Sequence, residues 1–248
     1  ARRIAVGRSI TSVTLRHAAQ RRTLPARDAQ SLVGDTVVAV ERRGKSQRFR
    51  LASGRQLVIH FRMTGDWLIP DERPLPATVR AVITFDNGAR LALDDPRALS
   101  VLSLCDAPIE DGMGPDALDR ALTARGLARA LASRRIPIKV ALLDQAIIAG
   151  IGNIYAAEAL WRARIDPRRP ANSIALPRLR VLRSAIRATL AQAIRWQQRY
   201  YGSSVAEPTA NRFKVYDREG EPCRRCRQPI RRITQAGRST YFCATCQA

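Results

Sequence analysis

The stretch from Cys223 to Cys246, "CRRCRQPIRRITQAGRSTYFCATC", holds four of the chain's five cysteines. Two C-x2-C pairs bracket sixteen residues. Each pair sets two sulfurs on one tight turn, and four thiolates match the tetrahedral preference of zinc. The intervening residues read as a hairpin: "PIRRIT", a turn at "QAG", then "RSTYF". A segment this short cannot bury a core, so the metal must hold it folded. A redox dithiol needs only one such pair and usually a following helix. Cys223, Cys226, Cys243 and Cys246 are therefore expected to bind one structural Zn2+. Arg224, Arg225, Arg227, Arg231 and Arg232 lie within or beside the clamp, and Arg238 sits at the hairpin tip. Fixed positive charge on a rigid tip suits contact with a polyanion groove.

The rest of the composition points the same way. The formal net charge is +22, with 43 cationic residues against 21 acids. All but three of the cations (Lys45, Lys139, Lys214) are arginine. So large an excess favours a nucleic-acid partner over a small molecule. The planar guanidinium can give two bonds to one phosphate. An apolar fraction of 46% supplies a globular core, and the length allows two domains, or one and a small appendage. No run of about 18 apolar residues suggests a membrane span. The N-terminus lacks the apolar centre of a signal peptide. Zinc-type cysteine spacing fits a reducing compartment, so a cytoplasmic protein is expected. Cys105, in "SVLSLCDAP", reads as a buried thiol at a strand end.

Residues 1–105 read mostly as β. "TSVTLRHA", "DTVVAVERR", "SQRFRLA", "RQLVIHFRM", "VRAVITFD" and "ARLALDD" are short, rich in β-branched residues and partly alternating, with turns at "ASGRQ" and "DNGAR". Such spacing predicts a sandwich or barrel-like sheet. The opening "ARRIAVGRSI" reads as the tail of a helix ending near Gly7. Loops fall at "LIPDERPLPAT" and "CDAPIEDGMGPDA". Beyond the second, "PDALDRALTARGLARALASRR" has helical spacing, and "IKVALLDQAIIAGIGNIYAAEALWRA" continues helical with a break at "GIGN". "LPRLRVLRSAIRATLAQAIRWQQRYYG" predicts a long amphipathic helix closed by Gly202. The expected class is α+β: an N-terminal β-sandwich domain over 1–108, a helical domain over 109–205 and the zinc finger over 206–248.

In "GIGN", Gly150 and Gly152 break a helix and Asn153, a good N-cap, starts the next. The free N–H groups of that new helix make a phosphate site, so the turn reads as a helix–turn–helix with an anion site. Together these stretches carry a resemblance. "LLDQAIIAGIGNIYAAEALWRARIDP" resembles the helix–two-turn–helix of the formamidopyrimidine-DNA glycosylase family, and "VYDREGEPCRRC…GRSTYFCATCQ" resembles that family's terminal zinc finger. "RRGKSQRFRL", "IHFRMTG" and "LDDPR" fall in the family's order through the N-terminal part. The "GIGNIY" form is closer to the formamidopyrimidine branch than to the endonuclease VIII branch.

The resemblance implies base-excision repair: removal of oxidised purines such as 8-oxoguanine and formamidopyrimidines from duplex DNA, then cleavage of the abasic strand. The target nucleotide leaves the stack because its reacting carbon is unreachable inside the duplex. Met63 matches the wedge that fills the gap, and Arg97 the arginine that pairs with the orphaned base. Leu99 stands where the family usually has phenylalanine. Asn153 matches the phosphate-gripping asparagine, and Arg134 a basic DNA-contacting position. The catalytic positions matched are Lys45, which contacts DNA near the lesion, and Arg238, the fingertip arginine at the lesion phosphates with a part in the final elimination. The resemblance further implies a monomer in the bacterial cytoplasm, associated with the nucleoid, with DNA in a cleft between two lobes. About five phosphate contacts would give a log–log salt slope of roughly −4 to −5.

Three departures qualify it. The family's chemistry starts at a leading proline, normally in "PELPEVE", whose amine attacks the sugar beside a glutamate acid/base. Here "ARRI" aligns inside the first helix, about two turns later. A truncated, poorly active form is therefore expected, with a catalytically silent damaged-DNA-binding relative as the alternative. The family's histidine near "HVD" gives way to Thr78 or Arg80. The loop "YGSSVAEPTANRFKVY" is shorter than usual, which implies relaxed lesion selectivity. Two rivals from another class are an architectural DNA-binding protein and a zinc-ribbon RNA-binding protein. The second explains charge and cysteines but not the ordered motifs.

Overall fold

A computed structural model describes residues 1–106, 112–200 and 213–248, with the side chains of 199 and 200 excepted. The chain divides into two compact units, Ala1–Asp111 and Gly112–Ala248.

The first unit is a β-sandwich. One antiparallel sheet has the order β1-β6-β7-β5, with β1 Ile10–Leu15, β5 Asp66–Leu68, β6 Val79–Phe85 and β7 Arg90–Asp94. The other has the order β2-β3-β4-β8, with β2 Val37–Arg43, β3 Ser46–Leu51, β4 Gln56–His60 and β8 Val101–Cys105. Period-two patterning sends Phe49, Leu57, Ile59, Ile83, Leu91, Leu93 and Leu102 into a common core. The Trp67 ring lies edge-on to Phe49 and Phe61 in that core, and its Nε1 donates to Gln47 Oε1 at 2.9 Å. The predicted strands all form. Three short helices border them: α1 Arg2–Ala5, α2 Ala18–Thr23 and α3 Ala26–Ser31. The first is the expected helix tail; the other two were not legible. Cys105 is half-buried rather than buried, because Leu102 takes the inward place on β8 and Cys105 ends the strand.

The second unit is helical with an appended hairpin. Its elements are α4 Ala124–Leu131, α5 Ile138–Ala141, α6 Asn153–Ala163, α7 Leu176–Tyr200, β9 Arg231–Gln235 and β10 Arg238–Phe242. Leu127, Leu131, Ile138, Leu142, Ile148, Leu160, Leu179 and Ile186 pack into its main core. Two helical expectations shrink. Within 115–135 only α4 is helical, since Asp116 and Asp119 turn their carboxylates back onto the amides of Leu118 and Ala121. Ahead of the "GIGN" break only α5 survives, and turns follow it. The α7 closure at Gly202 and most of the loop before the finger lie outside the described residues. Among the described residues no helix is long and apolar enough to cross a membrane.

Candidate nucleic-acid interface

In the first unit, two neighbouring loops present the Met63 and Arg97 positions. After β4 the chain turns sharply: Arg62 takes a left-handed φ of 57°, and Gly65 N donates to Phe61 O at 3.1 Å. A side chain at Gly65 would meet that same carbonyl oxygen at 2.7 Å, so only glycine closes this turn. Met63 at its apex is 75% exposed. The second loop follows β7, with Ala98 at φ 52° and Leu99 41% exposed. Arg97 Nη1 lies 3.4 Å from Met63 Sδ. Neither apolar side chain belongs to the sandwich core. Two bared apolar groups flanking an arginine cost folding free energy and suit insertion into stacked bases.

Lys45 is exposed in the β2–β3 turn. Across the sheet, His60 pairs with Ser46, the residue after it. The His60 imidazole was not singled out from the sequence. Its Nδ1 accepts from Arg62 N at 3.0 Å, which leaves Nε2 as the outward nitrogen. Burial lowers its pKa, and the charges of Arg62 and Lys45 lower it further. Arg80 donates to the carbonyls of Asp95 (2.7 Å), Pro96 (2.9 Å) and Ala77 (3.2 Å).

In the second unit the "GIGN" turn is built by Gln145. Its Oε1 accepts from Gly150 N at 2.9 Å, and its Nε2 donates to Leu143 O and Ile151 O, each at 3.0 Å. Gly150 itself has φ 94°. The N-cap of α6 is Gly152, not Asn153, and no side chain caps it. Asn153 is the first helical residue, and its side chain is used elsewhere: Nδ2 donates to Ser239 O at 3.0 Å. The turn thus holds the residue next to Arg238, and no side chain caps the first turn of α6, the end of a helix that favours an anion.

Lys139 joins them. Its side chain is fully buried, and Nζ donates to the same Ser239 O at 3.4 Å. Burial, and then the Arg238 charge, push its pKa down to about 8. The Asn153 amide and the Lys139 ammonium thus meet at Ser239 O beside the N-terminus of α6, where Lys139 feels the Arg238 charge. Sequence reading missed Lys139; a lone lysine in "IPIKVALL", in a chain that otherwise uses arginine, was the available signal. Arg134 is partly exposed and faces Asp144 at 3.5 Å.

The four finger cysteines bring their sulfurs within 4.8 Å of one another. Sγ–Sγ separations of 4.0 Å (Cys223–Cys246) and 3.4 Å (Cys226–Cys243) bracket the roughly 3.8 Å edge of a zinc–thiolate tetrahedron. No disulfide joins them. The donor set fits one structural Zn2+. The hairpin has the predicted strands, with Arg238 paired to Gln235 beside the turn. It docks on α6: Ala157 and Trp161 share a cluster with Val215, Ile230 and Tyr241. Arg225 stacks 3.8 Å above the Trp161 ring and donates to Trp161 O at 2.7 Å. Glu158 accepts from the successive amides of Lys214, Val215 and Tyr216 at 2.9–3.0 Å.

Comparison with known proteins agrees along the whole chain. Residues 1–102 match the formamidopyrimidine-DNA glycosylase N-terminal domain, 113–204 the H2TH domain of the same enzymes, and 220–248 the zinc finger found in FPG and IleRS. The chain is similar to the formamidopyrimidine-DNA glycosylase of Paracoccus denitrificans, 38% identical across 97% of this chain and 93% of that one. It is 40% identical to that of Acidiphilium cryptum, over the same shares. Among solved structures it resembles MutM (Fpg) of Thermus thermophilus, with TM-score 0.82 and 34% identity over 99% and 93% of the two chains. It also resembles the Lactococcus lactis glycosylase bound to DNA containing an AP site, with TM-score 0.86 and 28% identity over 99% and 94%.

Proposed function

Since the chain belongs to the formamidopyrimidine-DNA glycosylase family, we propose how its own residues serve that family's reaction. It is a DNA glycosylase and AP lyase acting on oxidised purines in DNA. Its partner is damaged duplex DNA, and its place is the bacterial cytoplasm at the nucleoid. Met63 and Leu99 enter the stack where the lesion leaves it, and Arg97 meets the orphaned base. Lys45 and His60 hold the backbone near the lesion from the first unit. The second unit grips phosphate with the α6 amides, the remaining Asn153 N–H and Arg238, Lys139 adds its charge from behind Ser239 O, and Arg134 adds a further backbone contact. Zn2+, held by Cys223, Cys226, Cys243 and Cys246, keeps the hairpin rigid and takes no part in bond breaking.

The observation that carries this reading is the convergence of Lys139, Asn153 and Arg238 about Ser239 at an open helix N-terminus. A buried ammonium that also feels a neighbouring guanidinium is unfavourable unless an anion joins them. The test compares binding of duplexes carrying a tetrahydrofuran abasic analogue, 8-oxoguanine or no lesion. The expected result is tighter binding of both lesions than of undamaged duplex, with Arg238→Ala losing at least about tenfold on each. Equal affinity for damaged and undamaged duplex would refute the assignment.

A further inference from the structure

We propose that Asp95 is a positioning residue that locks the Met63 loop to the Arg97–Leu99 loop, so that wedge and orphan-base reader enter the duplex as one body. This rests on the reading of Met63 and Arg97 given above. The two loops come from sequence positions more than thirty residues apart, yet one buried carboxylate bonds to both. Asp95 has no exposed surface. Its Oδ1 accepts from Thr64 Oγ1, directly after Met63, and from Arg97 N at 3.3 Å. Its Oδ2 accepts from Ser100 N at 2.7 Å, directly after Leu99. The carboxylate therefore spans the residues adjoining all three presented side chains.

The hub itself is anchored from two further elements. Gln20 on α2 donates to Ser100 O at 2.9 Å and to Ser100 Oγ at 3.2 Å. Arg80 on β6 grips the carbonyls of Asp95 and Pro96. Burial pushes the Asp95 carboxyl up, but the Thr64 and Ser100 hydrogen bonds outweigh it and hold the group below its usual range. An ionised carboxylate so bound gives strong, directional hydrogen bonds. Of these contacts, only the Thr64 hydroxyl reaches the Met63 loop. Severing it removes the carboxylate's hold on the Met63 loop without stranding a buried charge, since Ser100 and Arg97 still bond to Asp95.

The experiment uses the zinc-loaded chain and duplexes with a tetrahydrofuran abasic analogue placed opposite each of the four bases. Wild type should bind these with a marked spread of affinities. Thr64→Val should narrow the spread by about tenfold, with unchanged affinity for undamaged duplex. Thr64→Ser, which keeps the hydroxyl, should retain the wild-type spread. Arg97→Ala should abolish it. If Arg97→Ala abolishes the spread while Thr64→Val leaves it intact, the coupling is wrong and the reading of Arg97 stands. A wild type that binds all four alike, or an Arg97→Ala variant that keeps the spread, overturns the reading of Arg97 and the coupling with it. A Thr64→Val loss that is equal on undamaged duplex also overturns the coupling, because it marks a general structural role.

Discussion

Glu158 is the residue on which attachment of the finger turns. Only 7% of its surface is exposed, and it is the one acidic residue of α6. Its carboxylate takes four hydrogen bonds from three consecutive amides, Lys214 to Tyr216, where the chain enters the finger. Glu158→Gln changes little in size. It replaces one acceptor oxygen with a donor that faces amide N–H groups, and it removes the charge. All three amides reach Oε1, and Lys214 N also reaches Oε2, so a carboxamide oxygen at the Oε1 position keeps each contact only as a weaker neutral bond while its NH2 faces Lys214 N. Bonds to a charged acceptor contribute about 1.5–3 kcal/mol each and neutral ones about 1, while an orphaned buried amide costs about 1–3. Three amide bonds, each weaker by about 1 kcal/mol on a neutral acceptor, sum to about 3 kcal/mol.

The assay is urea unfolding of the zinc-loaded protein at fixed free zinc, since zinc binding itself shifts apparent stability. Tryptophan fluorescence is followed together with zinc release to a chromophoric chelator. Glu221→Gln is the control. That carboxylate is about half exposed and pairs with Arg218 across one turn, so its loss should stay within about 1 kcal/mol. A Glu158→Gln loss no larger than the control's, with zinc release unchanged, would refute the argument that these amides need a carboxylate.

Two further outcomes follow from the same unit. Stripping zinc, or Cys243→Ser, should unfold the hairpin and abolish selective binding of abasic duplex in a gel-shift titration; full binding by metal-free protein would contradict this. Lys139, with a pKa near 8 in the free protein, should make DNA affinity pH-dependent. A phosphate beside it raises that value, so the bound state holds a proton the free state has lost. Affinity is then flat below about pH 8 and falls as pH rises through it. Lys139→Met should bind more weakly and lose this slope, as measured by fluorescence anisotropy from pH 7 to 9.5; an identical slope in the variant would refute the role.

The strands and the finger were legible because their signals are local: alternation along "SQRFRL" and "VRAVITF", and fixed cysteine spacing. The helices around "GIGN" were harder. In "IKVALLDQAII" the residues are apolar because they are buried on nearly every side, so periodicity cannot tell four helical residues from eleven. In "PDALDRALTARG" the aspartates bind their own backbone, and that competition halts the helix its alanines and leucines favour. Single chemical groups were least legible. His60, Lys139 and Glu158 each look like a stray polar residue in an apolar stretch. The last two acquire meaning only through a partner far along the chain: Ser239 lies 100 residues beyond Lys139, and Lys214 lies 56 beyond Glu158.

Why the metal sits where it does follows from length. Helix α6 has eleven residues and runs about 16 Å. The five-residue strands β9 and β10 run about 17 Å. Asn153, at the helix N-terminus, holds Ser239 near the hairpin tip. Arg225, one residue before Cys226 in the zinc clamp, holds the carbonyls of Trp161 and Arg162 near the helix C-terminus. The hairpin therefore lies along α6 and is fixed to it at both ends, with the sulfurs near one end and Arg238 near the other. At that separation zinc cannot polarise a bond at the phosphates beside Arg238. It acts through stiffness alone, by denying two short strands the conformational entropy that would otherwise let the arginine wander from the anion site.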